Sequence, residues 1–111
     1  MKATLTHVGI AVRDLDEALR FYRDALGLEV SLSETVSSQQ VRTHMVSAGE
    51  AELEFLEATE DDSPVGRFLV SRGPGLHHIT FRVDNLSDTL EQLRVRGVRL
   101  IDEVPRQGQD G

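Results

Sequence analysis

Three side chains in this 111-residue chain have the chemistry of a metal site: His7, Glu54 and His78. Two neutral imidazoles and a carboxylate suit a divalent ion such as zinc, nickel, cobalt, manganese or iron. Three protein ligands with further positions left open is the pattern of a catalytic rather than a structural site. Taken singly, each has a plainer reading. A lone histidine near the start of a strand is more often a surface or capping residue than a ligand. Glu54 stands between Glu52 and Glu57, so a solvated strand face would explain all three. His44 reads as a surface residue and Asp61-Asp62 as a solvated turn. His77 reads as a packing or supporting residue, and the double histidine leaves open which of His77 and His78 ligates.

A repeat lifts the histidines above these readings. Residues His7 to Leu19 are echoed by His78 to Leu90 at a constant offset of 71. Val12 falls on Val83, Leu15 on Leu86, and Asp14 on Asn85, both good helix N-caps. Gly27 and Gly97 then close the two predicted helices. Self-similarity at a fixed period means that one unit has been used twice. Two histidines at equivalent positions would face each other across a pseudo-twofold axis.

The elements that must position these residues follow from periodicity. Val8, Ile10 and Val12 make one face of a first strand, and His7, Gly9 and Ala11 the other. Asp14, with Glu17 three residues on, starts a helix whose apolar stripe is Leu15, Ala18, Leu19, Tyr22, Ala25 and Leu26. Strands are expected over residues 28–36, 40–47 and 51–58. In the last, Leu53 and Phe55 share one face, and Glu52, Glu54 and Leu56 the other. Ser63-Pro64 opens a short helix to Ser71, and Gly73-Pro74-Gly75 separates the copies. The second copy supplies a strand over 76–83, with Ile79, Phe81 and Val83 opposite His78, Thr80 and Arg82. Next come a helix over 85–96, with Leu86, Leu90 and Leu93 inward, and a strand over 98–104. The first copy continues into two further strands. The repeat therefore predicts two more strands after residue 111, and a glutamate near position 125 as the counterpart of Glu54.

Composition narrows the function. The net charge of −7, from 12 basic and 19 acidic residues, argues against a nucleic-acid surface. No apolar run approaches a membrane span, and no secretory signal opens the sequence. The absence of cysteine excludes disulfides, thiolate ligands and a cysteine nucleophile, and fits a cytoplasmic protein.

Thr6-His7-Val8-Gly9-Ile10-Ala11-Val12, followed by Leu26-Gly27-Leu28, resembles the opening of the vicinal oxygen chelate superfamily. Further stretches are similar to the methylmalonyl-CoA epimerases within it. These are Glu52 to Glu57, Ser63-Pro64-Val65-Gly66-Arg67-Phe68-Leu69, Gly75-Leu76-His77-His78-Ile79, Gly97 to Asp102 and Pro105-Arg106-Gln107-Gly108. The resemblance implies an α+β fold of paired βαβββ modules forming a cup-shaped mixed sheet. It implies one domain over 1–111: module one about 1–60, a linking helix about 63–72, and a module two about 75–111 that lacks its last two strands here.

By the same resemblance, the metal ligands fall on His7, Glu54 and His78, around one divalent ion. Cobalt, zinc, nickel, manganese and magnesium are all compatible. The fourth family ligand is a glutamate on the last strand, beyond residue 111; of the family's acid–base carboxylates one is that glutamate or lies beside it and another, in some members, is on the third strand, so the resemblance assigns no catalytic residue within 1–111. On the third strand this chain has Thr43. The implied reaction interconverts (2R)- and (2S)-methylmalonyl-CoA through an enolate, in a homodimer that binds an acyl-CoA, with weak or no activity in a 111-residue form. Two alternatives share the fold: a glyoxalase-type lyase acting on a glutathione adduct, and a non-catalytic small-molecule-binding protein.

Overall fold

Asp14 and Asn85 adopt nearly the same backbone conformation, at φ −144°, ψ 112° and φ −142°, ψ 107°. In the computed structural model, which describes residues 3–31 and 33–101, each caps a helix that follows a strand. Strand β1 (Ala3–Ala11) leads to helix α1 (Leu15–Leu19). After β2 (Glu34–Val36), β3 (Val41–Ala48), β4 (Ala51–Ala58) and helix α2 (Pro64–Arg72), strand β5 (Gly75–Val83) leads to α3 (Leu86–Val95). The Asp14 carboxylate accepts from the N–H groups of Asp16 and Glu17, and the Asn85 side chain from that of Asp88. A short side-chain acceptor thus replaces the partners that the first helical turn lacks. Gly27 and Gly97 follow the helices at φ 76° and 82°, a left-handed conformation that costs glycine least.

The sheet has five strands in the order β2-β3-β4-β1-β5. Strand β1 runs parallel to β4, whereas β2–β3 and β3–β4 are antiparallel. This is the mixed sheet of an α+β protein. Helices pack against both faces of its β1, β3 and β4 strands. On one, Leu15 and Leu19 of α1 pack with Val46 and Phe55, flanked by Ile10, Val12, Tyr22 and Leu53. On the other, Val65 and Leu69 of α2 pack with Ala11, Val41 and Leu56. Ser63 starts α2, its hydroxyl accepting from the Gly66 N–H at 3.0 Å.

Four expectations are corrected. The first helix does not stay α-helical to Gly27: after Leu19 it widens into a π-helical stretch, Arg20–Ala25, in which the Leu26 N–H reaches the Phe21 carbonyl at 2.9 Å. The wider turn keeps Tyr22 against Phe55, ring centroids 4.7 Å apart, and drops Leu26 out of the stripe to 55% exposure. The strand over 28–36 is broken, with an isolated Val30–Val46 bridge before β2. Ser31 interrupts it, because its hydroxyl accepts from the Met45 N–H at 3.0 Å. In α3 the buried residue is Thr89, and Leu86 is exposed. Finally, residues 98–100 form no strand. The Val98 N–H still bonds to the Leu93 carbonyl at the helix end, and residues 102–104 lie outside the described residues.

Two compact units divide the chain. One spans Leu5–Thr80 and contains β2, β3, β4 and α2 entire; α3 belongs to the other.

Candidate metal centre

His7, Glu54 and His78 all belong to the Leu5–Thr80 unit and come from three neighbouring strands, β1, β4 and β5. The β1–β4 register places Gly9 beside Glu54 and His7 beside Glu52, so one face carries His7, Gly9, Ala11, Glu54 and Leu56. His78 lies one strand further out, across β1 from Glu54. Its ring must therefore pass over β1, and it does so at Gly9, where no side chain stands in the way.

The three side chains converge. His7 Nε2 lies 3.5 Å and His78 Nε2 3.3 Å from Glu54 Oε1. One donor atom from each lies within 4.8 Å of the others. Ligands about 2.0–2.2 Å from a common ion stand roughly 3.0–3.4 Å from their nearest neighbours, and the two separations from Glu54 Oε1 lie close to that range. Burial agrees with that fit. His7 is 9% and Glu54 5% exposed, while the His78 side chain, at 36%, keeps one side open. A carboxylate taken this far from water needs positive charge or donors beside it.

His77 does not join the cluster. Its Nδ1 lies 2.9 Å from His78 Nδ1, and its ring meets Phe68 of α2 edge-on, centroids 4.9 Å apart. Burial first, and then the neighbouring His78, hold its imidazole below the ordinary histidine value, against an opposing pull from Glu54. His44 faces the α1 side, its Nδ1 2.7 Å from the Ser31 carbonyl. Thr43 shares the Glu54 face but is buried, its hydroxyl 3.4 Å from the Glu34 carbonyl. The other β3 residues of that parity are Val41, Met45 and Ser47, so β3 brings no carboxylate to this face. Asp61, Asp62 and Arg82 are exposed. Sequence reasoning placed Gly9 on the site's face without a role. The available signal was a glycine inside a strand pattern, which often marks close approach of another group.

Comparison with known proteins agrees with this architecture. The model of the Glyoxalase/Bleomycin resistance protein/Dioxygenase superfamily matches residues 6–111. The uncharacterized protein YqjC of Bacillus subtilis (strain 168) is 45% identical over 107 residues, covering 96% of this chain and 76% of YqjC. The mitochondrial methylmalonyl-CoA epimerase of Mus musculus is 34% identical over 108 residues, and the alignment covers 96% of this chain but only 61% of that enzyme. A solved Streptomyces coelicolor methylmalonyl-CoA epimerase, in complex with 2-nitronate-propionyl-CoA, superposes with a TM-score of 0.87 at 37% identity. That match covers 96% of this chain and 78% of the Streptomyces one.

Proposed function

Because the chain belongs to the Glyoxalase/Bleomycin resistance protein/Dioxygenase superfamily, we propose that it is a metal-dependent epimerase acting on methylmalonyl-CoA, with His7, Glu54 and His78 as ligands of one divalent ion. The observation that carries this reading is the convergence of two imidazoles and one buried carboxylate, from three strands, on one face. Relatives and a structural neighbour that are methylmalonyl-CoA epimerases support the substrate class.

Each residue has a defined task in this reading. His7 and His78 present neutral Nε2 atoms, and Glu54 contributes the negative charge that favours a dication over a monocation. A divalent cation held there supplies the Lewis acidity that makes a proton beside a thioester carbonyl easier to remove. The partly exposed side of His78 is where a substrate carbonyl and carboxylate would enter. β3 carries Thr43 on this face, so this reading assigns no proton-transferring group to that strand. We read residues 1–111 as belonging to one such domain, working in the cytoplasm as a homodimer, which light scattering on the eluted protein tests.

The decisive experiment incubates the full gene product with (2R)-methylmalonyl-CoA and a divalent salt in deuterated water. Epimerisation with deuterium at the epimerised carbon is expected, and its loss in His78→Ala. Turnover of a glutathione hemithioacetal instead would favour the lyase. Binding of an acyl-CoA without exchange, at full metal occupancy, would overturn the enzymatic reading.

A further inference from the structure

Two neighbours set the position of the His78 ring. The first is an absence. A Cβ built on Gly9 would lie 2.5 Å from His78 Nδ1 and 2.7 Å from Nε2, and against Cε1. No real side chain sits that close, so the ring occupies the volume that any other residue at position 9 would need. The second is His77, whose Nδ1 stands 2.9 Å from His78 Nδ1. Two imidazole nitrogens at that distance share one proton between them, one donating and the other accepting. His78 Nε2 is the nitrogen turned to Glu54. If Nε2 ligates, its lone pair must be free, so the ring proton sits on Nδ1 and His77 Nδ1 accepts it. Ligating histidines commonly give their second N–H to a carboxylate, a carbonyl or water, and that bond fixes both tautomer and ring angle. Here a second imidazole fills the place. It is itself held by the Phe68 ring at 4.9 Å, over which the Arg72 guanidinium lies at 5.9 Å.

We propose that Gly9 and His77 are positioning residues for His78: Gly9 gives the ring its seat across β1, and His77 accepts the hydrogen bond from its Nδ1–H, which leaves Nε2 as the ligand atom. This rests on the metal-site reading above.

The test uses zinc as the probe and three variants of the full gene product. Gly9→Ala puts a methyl group where the ring lies. The ring is the free end of a side chain and swings away, so the fold survives while zinc affinity falls about tenfold or more. His77→Phe keeps a ring against Phe68 but removes the acceptor, and should weaken zinc binding about 10–100-fold. His77→Asn places an amide oxygen near the lost nitrogen and should restore most of that affinity. In zinc-loaded wild type, nitrogen-15 NMR should show the His78 Nδ1 proton and a coupling between the two Nδ1 atoms, absent from His77→Phe. If wild type binds zinc and both Gly9→Ala and His77→Phe bind it equally well, this inference fails alone. Asparagine no better than phenylalanine at position 77, or no coupling between the two nitrogens, also overturns it. If wild type binds no zinc, the metal reading fails and takes this inference with it.

Discussion

The Glu57 carboxylate accepts the backbone N–H of Leu15 at 2.9 Å, tying the end of β4 to the first residue of α1. Asp14 already accepts from Asp16 and Glu17, so the two acids together satisfy the open donors of that turn. Glu57 also pairs with Arg42 at 2.9 Å. Three residues earlier, on the opposite face of the same strand, stands Glu54. One strand thus sends one acid to anchor a helix and another to the candidate metal centre.

Glu57→Ala should therefore cost stability and leave zinc binding alone. The lost cap accounts for about 1–2 kcal/mol. The part-exposed Arg42 pair adds little to that. Urea denaturation reads the loss. A fall in zinc affinity of the same size as that from Glu54→Gln would show that the two faces are not independent.

Glu54→Gln should do the reverse. It keeps the shape of the side chain and removes a charge that is 95% withdrawn from water, taking Glu54's exposure of 5%. The metal-free protein should be as stable as wild type, because the desolvated charge is gone. Zinc affinity should drop by about 100-fold or more, since an ionised ligand is lost. Zinc at about one hundred times the wild-type Kd stabilises wild type by about 2.7 kcal/mol, and at the same concentration this increment should fall to about 0.4 kcal/mol or less in the variant. Denaturation with and without zinc gives both numbers.

Gly66→Ala contrasts with the same change at Gly9. A Cβ on Gly66 would lie 2.5 Å from the Glu60 carbonyl oxygen and 2.7 Å from the Asp61 carbonyl carbon. These are backbone atoms and cannot swing aside. The start of α2 must shift, at a cost of about 1–3 kcal/mol. Thermal unfolding should show a midpoint several degrees lower. An unchanged midpoint would mean that the turn before Ser63 is pliable.

The metal-free protein should lose stability as the pH falls below the histidine range. His77 binds its proton less readily in the folded state, chiefly because it is buried. Between the ordinary value of about 6.5 and the lower folded one, the unfolded chain takes up a proton that the fold refuses. His77's contribution is therefore complete above about 6.5 and declines as the pH falls through that window. Urea midpoints followed from about pH 7.5 to about 5.5 should fall less steeply in His77→Asn than in wild type. Parallel slopes would assign the pH dependence to other groups.

Much of this protein was legible in its residues. The offset of 71 between His7 and His78 set one strand–cap–helix stretch against another, and the structure repeats the cap at Asp14 and Asn85 to within a few degrees. The strand parities put His7, Glu54 and His78 on polar faces, because side chains alternate along any strand. What a linear pattern cannot carry is which strands become neighbours. Only the order β4-β1-β5 puts His78 two strands from Glu54, with Gly9 between them. Only that crossing gives Gly9 a purpose, and only folded distances separate His78, beside Glu54, from His77, against Phe68. The failures have the same origin. The π-helical stretch after Leu19 and the break at Ser31 arise where contacts to Phe55 and Met45 override the local pattern. Local chemistry determined the elements and their faces, and long-range pairing decided which of those faces meet.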